Sequence, residues 1–197
     1  MYADVRQKLL AKDKILMTEE CAKCYIDCFD LLLVVNTPHL SYTRCVPLFP
    51  IIYSDRALYT GFSYIGQPFA DGTFRFMTAK SLLWGAQLGW MKPTYILAPE
   101  ASSERILLKN LMAFRAKHRS LFSTGRLLSE WFPGQDVPRV TLRKFGDTPQ
   151  VVGALWRDQT GQQVLLCVNM DTESHTFDIP GGSKAVIEPL SARYITL

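Results

Sequence analysis

The chain has 197 residues and 22.4 kDa, and 48% of it is apolar, enough to build a core in one large domain or two small ones; this excludes a disordered chain. A net charge of +4 with basic and acidic residues alternating carries no basic block, so nucleic acid is not an expected partner. Apolar runs such as 31–35 fall far short of the ~20 residues of a membrane helix, and the opening MYADVRQKLLAKDK is too polar for a signal peptide. No membrane partner is therefore expected, and as written the chain reads as cytoplasmic; with a truncated N-terminus it would be periplasmic or secreted.

The first helix candidate is Tyr2 to Leu10, short enough to depend on packing against something else. Lys14 to Thr18 is a compact apolar run ending in Glu19 and Glu20, and it reads as a buried strand delivering acids at its C-terminal end. Cys21 to Cys28 suits a short helix. Asp30 to Asn36 is a second strand-length run and Cys45 to Tyr53 a third, made irregular by Pro47 and Pro50. Short buried strands separated by helical or loop segments point to parallel α/β architecture.

Lys80 to Met91 is apolar all round with Gly85 and Gly89 four apart, the pattern of a buried helix in close backbone contact with a neighbour. Ser102 or Ser103 would then cap an amphipathic helix in which Leu107, Leu111, Phe114, His118 and Leu121 recur at helical spacing. From Val137 the pattern turns to period two. Val151 to Arg157 and Gln162 to Asn169 flank the turn Asp158-Gln-Thr-Gly161 and predict a hairpin, with three short runs after it: His175 to Ile179, Ala185 to Glu188 and Arg193 to Leu197. The composition shift places a boundary near Phe132-Pro-Gly-Gln135, giving an α/β segment over 1–135 and an antiparallel β module over 136–197.

Three stretches carry a family resemblance: ILMTEECAKCYIDCFDLLLV, VPLFPIIYSD and SLLWGAQLGW. They resemble the last strands and helices of a (β/α)₈ barrel in bacterial glycoside hydrolases of the α-galactosidase-like superfamily. VLLCVNMDTESHTFDIP and PLSARYITL are similar to the C-terminal β-sandwich that closes many such enzymes. The resemblance implies a fold of α/β plus all-β class, a partial barrel followed by a small antiparallel β-sandwich. A complete barrel has eight strands and typically ~250 residues, and about three barrel-type strands are visible, so the chain is expected to be the C-terminal part of such an enzyme. It implies a carbohydrate ligand, no cofactor, and either a missing N-terminal barrel half or a homo-oligomer that covers the open edges.

Glycoside hydrolysis needs two carboxyl groups bracketing the scissile bond, and barrels place such groups at strand C-termini. Glu19 stands at such a place in MTEE, where the resemblance implies the general acid/base; Glu20 follows where the family pattern usually has glycine. The nucleophile would come from an earlier strand outside these residues. Tyr53, Asp55 and Arg56, with Ser54 between, would follow the third strand and hydrogen-bond sugar hydroxyls; as a bland alternative they form a polar turn. Trp84 and Trp90 could stack on a pyranose face or simply fill the core.

Five cysteines, four of them between Cys21 and Cys45, make a poor disulfide framework and are expected to be mostly free thiols. Cys21, Cys24 and Cys28 at i, i+3 and i+7 could share a helix face and bind metal, but the spacing is not the paired CxxC of zinc sites, so no metal is expected. His39 and His118 have no ligand partner at recognisable spacing. The functional expectation is a glycoside-hydrolase-like segment lacking its full active site; the alternative is a non-catalytic carbohydrate-binding or structural, oligomerising fragment.

Overall fold

The computed structural model describes residues 2–10, 14–19, 25–26, 28–33, 46–61, 72–88, 91–134, 137–143 and 145–197, with the backbone alone described at Tyr2, Ala3, Leu9, Leu10 and Glu19. Helix α1 (Tyr2–Leu10) precedes strand β1 (Met17–Glu19), and β2 (Leu31–Leu33) follows. Asp30 ties these pieces together: its carboxylate accepts from the Leu16 amide at 2.9 Å and from Arg6 of α1 at 2.9 Å. The Leu16 amide, assisted by Arg6, holds this carboxyl below its ordinary range.

Helix α2 (Leu48–Tyr53), strand β3 (Leu58–Tyr59) and helix α3 (Thr73–Leu83) continue the alternation. The three strands form a parallel sheet in the order β1-β2-β3, with Met17 beside Leu31 and Leu31 beside Leu58. A parallel bridge from Thr60 to Gln87 adds a fourth position next to β3. Parallel neighbours need crossover connections, and α2 and α3 lie within two of them. In-register partners point the same way, so Leu32 and Tyr59 share one face, where they are buried with Phe29 and Ala86 and packed by Phe49 and Ala57. Met17 and Leu58 share the other face, and they remain 55% and 49% exposed.

Residues 45–53, read above as a strand, include the helix α2 over their last six. Pro47 is its N-cap and Pro50 lies in its first turn, where amide hydrogens have no intrahelical acceptor, so both prolines favour a helix start over a strand. The helix expected over 80–91 lies earlier, at Thr73–Leu83. Its C-cap is Trp84, and Gly85 at φ +81° turns the chain out of the helix. A Cβ at Gly85 would sit 2.8 Å from the Trp156 ring and 3.1 Å from the Tyr59 hydroxyl, so this glycine permits both the turn and the close approach. Gly89 and Trp90 lie outside the described residues.

Helix α4 (Pro93–Ile96) and a 3₁₀ turn (Pro99–Ala101) run into α5 (Ser102–Lys117). Ser102 and Ser103 sit inside α5, whose N-cap is Ala101 without a side-chain hydrogen bond; the preceding 3₁₀ turn feeds the helix directly. The chain breaks at His118 and resumes as α6 (Arg119–Thr124). Leu107, Leu111 and Leu121 are buried, Phe114 packs against the same core, and the His118 ring stacks on Tyr194 at 4.7 Å.

The second part is antiparallel. β4 (Arg126–Trp131), β7 (Val151–Arg157), β8 (Gln163–Asn169) and β11 (Ser191–Thr196) form a sheet in the order β11-β8-β7-β4; β5 (Arg139–Leu142) pairs with β6 (Gly146–Pro149), and β9 (His175–Asp178) with β10 (Lys184–Ile187). The sheet thus begins at Arg126, upstream of the composition shift near 135. β7 and β8 are the predicted hairpin, and Gly161 takes φ +89° in its turn. Asp158 Oδ1 accepts from the amides of Thr160 and Gln162 at 2.8 and 3.0 Å.

Both faces of this sheet are covered, which explains the unbroken apolar run in β8. Val164, Leu166 and Val168 join Val152, Ala154 and Trp156 against Leu82, Leu107 and Phe122 of the helices. Leu165 and Cys167 join Val151 against Phe177, Ala185 and Ile187 of the β9–β10 pair. Trp156 anchors the helical side by donating its indole N–H to the Leu83 carbonyl at 2.9 Å. At the end of β8, buried Asn169 donates to the carbonyls of Glu173 and Glu188 at 2.7 and 3.0 Å, and accepts from the Asp171 amide at 2.9 Å. No helix among the described residues is long and apolar enough to cross a membrane.

Candidate functional site

Three parts of the molecule bear on a candidate site. The first is the C-terminal end of the parallel sheet. Glu19 is the last residue of β1, level with Leu33 of β2, and the segments that follow the strands at this end, 20–24, 34–45, 62–71 and 89–90, lie outside the described residues.

Tyr53, Ser54, Asp55 and Arg56 are at the opposite end. Because 48–53 is helical, these residues close α2 and lead into Leu58 at the start of β3. The structure therefore does not bring them together with Glu19, contrary to the shared rim expected from the sequence. Tyr53 is half-buried with its ring 4.9 Å from Phe49. The exposed pair Asp55 and Arg56 meet each other at 3.9 Å. Buried Ser54 has a fold-holding contact: its hydroxyl accepts from the Leu127 amide at 3.1 Å, joining α2 to β4.

The second part lies between α2 and β4, where a cavity of about 540 Å³ is lined by Pro47, Ile51, Ser129, Glu130, Trp131 and Phe132. Glu130 Oε1 receives the Lys80 ammonium and the Trp84 indole N–H, the latter at 2.8 Å. Lys80 also lies 5.1 to 5.7 Å from the ring centres of Trp84, Phe132 and Phe76. Trp84 is 4% exposed, so its ring is engaged by this buried cluster inside the core. Reading by local pattern passed over Lys80 and Glu130. The available signal was one lysine inside FRFMTAKSLLW, an apolar helix in which an unpaired charge would be costly.

The third part is a cavity of about 550 Å³ where α5 and α6 approach the sheet edge at Gln87. Gln87, Arg115, Arg119, Ser120 and Ser123 provide its polar lining, and no carboxylate contributes among the described residues. Arg115 rests over the Phe122 ring at 4.6 Å and donates from Nε to Gln87 Oε1 at 3.4 Å. Burial lowers its pKa to about 10, offset in part only by the Tyr59 phenol.

Of the cysteine cluster, Cys21 and Cys24 lie outside the described residues, as do Cys45, His39 and Glu20; Cys28 is a half-buried free thiol. Cys167 is buried in the β-sheet core, and desolvation pushes its thiol far above the ordinary range. No group of three or more His, Cys, Asp or Glu among the described residues could hold a metal ion.

Comparison with known sequences adds two findings. A family model described as a domain of unknown function, DUF6259, matches residues 1–64, which include Glu19 and the Tyr53–Arg56 turn. A protein of Bacteroides thetaiotaomicron named "Putative glycoside hydrolase" is 42% identical over 192 residues, covering 98% of this chain and 29% of that protein. The chain thus spans less than a third of the length of the relative it matches, and over nearly all of its own length it is similar to part of a glycoside-hydrolase-like protein.

Proposed function

We propose that these residues are the C-terminal part of a carbohydrate-active (β/α)₈ enzyme, with β1, β2, β3 and the Gln87 position as its last strands and the antiparallel sheet as the closing β-sandwich. The observation that carries this reading is the half-covered parallel sheet. Parallel sheets are ordinarily buried on both faces, yet Met17 and Leu58 stay exposed opposite the helix-covered face of Leu32 and Tyr59. A barrel interior, completed by further strands, supplies the missing cover. The similarity to a protein named as a glycoside hydrolase supports the same reading.

In this enzyme Glu19, at the C-terminal end of β1, is the general acid/base, and the second carboxyl group comes from a strand outside these residues. The superfamily assignment to α-galactosidase-like enzymes belongs to this proposal, as does carbohydrate as the ligand. The test replaces the matching stretch of the Bacteroides protein by these 197 residues and measures turnover of glycosides with poor and good leaving groups. Glu19→Gln is expected to lower the rate on the poor leaving group by about 10²-fold or more, and far less on the good one, whose departure needs little protonation. Equal effects on both substrates would overturn the role of Glu19.

A further inference from the structure

We infer that the cavity between α5, α6 and Gln87 is a binding site for a small oxyanion, a carboxylate or sulfate group, gripped by the Arg115 guanidinium with Arg119 and the Ser120 hydroxyl around it. The site is separate from Glu19, and the inference does not rest on the proposed glycosidase role.

A guanidinium taken out of water is stable only when paired or hydrogen-bonded. Arg115 has its Nε on Gln87, at 3.4 Å a long contact with a neutral acceptor. Its flat face is taken by Phe122. Its Nη1 is shielded from solvent and has no hydrogen-bond partner among the described residues. No acid forms an ion pair with it there, whereas half-buried Arg75 meets Glu104 at 3.2 Å and half-buried Arg105 donates to the carbonyls of Ile96 and Ala98.

The surroundings fit an anion better than a neutral ligand. Arg119 adds a second positive charge one helical turn on, across the break at His118, and the cavity has room for several heavy atoms. Guanidinium groups bind carboxylate and sulfate through paired N–H donors in one plane. Leu88, Met112 and Phe122 supply an apolar wall that keeps such a bond from being dissipated in water.

Thermal unfolding of the 197-residue chain tests this with sodium sulfate and sodium glucuronate at low millimolar concentration, ionic strength held constant with chloride, and with glucose as the neutral control. Anion binding is expected to raise the Tm saturably, by roughly 5–10 °C at a hundredfold excess over Kd, while glucose does nothing. Saturation separates binding from the general stabilisation that sulfate exerts by exclusion, which grows without limit over this range. Arg115→Gln should abolish the response and Arg115→Lys should weaken it at least tenfold. Because Arg115 is part of a packed region, the exposed Arg119→Gln provides a second arm, expected to weaken binding severalfold without unfolding the chain. A wild-type chain with no saturable response, or an equal response in Arg115→Gln, would overturn the inference.

Discussion

Lys80 and Glu130, fifty positions apart in sequence, meet as a buried ion pair, their side chains only 6% and 8% exposed. The pair joins α3 to β4, and the Trp84 indole shares the same carboxylate oxygen. Removing one partner breaks an ion pair that lies inside an aromatic box. Glu130→Ala is therefore expected to cost about 3–5 kcal/mol, the usual loss when a buried pair is broken from one side. Replacing both residues by apolar ones of similar length, Lys80→Met with Glu130→Leu, should cost less than the single change. Urea unfolding of the two variants and the parent decides it: a double variant less stable than Glu130→Ala would contradict the account.

Gly85 makes a different kind of prediction. Its φ of +81° is one that L side chains rarely adopt, and an added Cβ meets Trp156 at 2.8 Å. Gly85→Ala should cost about 1–3 kcal/mol, from backbone strain together with displacement of the indole. By contrast Gly161, also at positive φ, would have nothing within 4 Å of an added Cβ, so Gly161→Ala should show the conformational part alone. Equal losses at the two sites, read from denaturant midpoints, would show that the contact with Trp156 carries no weight.

The His118 ring, stacked between α5 and β11 on Tyr194, has its pKa lowered by desolvation and by the neighbouring Lys117. The folded state thus favours the neutral ring, and the unfolded state binds the proton more readily. The stabilisation is fully present above the unfolded value of about 6.5 and is lost as the pH falls through the lower folded value. His118→Phe keeps an aromatic surface without the titration. Its stability should run parallel to the parent's above about pH 6.5 and fall less steeply below it. A parent curve that rises on acidification through this window, relative to the variant, would reverse the sign.

What the sequence by itself determined is local. The hairpin of β7 and β8 could be read because two apolar strand-length runs and a turn ending in glycine act over a few neighbours, and Asp158 makes its turn bonds within four residues. The apolar stripe of α5 could be read for the same reason: Leu107 and Leu111 are one turn apart on the covered face. Glu19 could be placed at a strand end, since MTE closes a strand-length apolar run.

Tertiary structure decided the rest. The run 45–53 is apolar enough for a strand, yet it holds the helix α2, which packs against β4 through Ser54 and Leu127 and carries Tyr53, Asp55 and Arg56 away from the end occupied by Glu19. Gly85 acts as a helix stop beside Trp156, a residue 71 positions onward that no local pattern could bring near it. Lys80 with Glu130 and Arg115 with Gln87 are likewise encounters between distant segments. Whether a buried charge is paired or left needing an anion depends on such encounters, because the energy of a charge is set by what surrounds it in space and not by its neighbours along the chain.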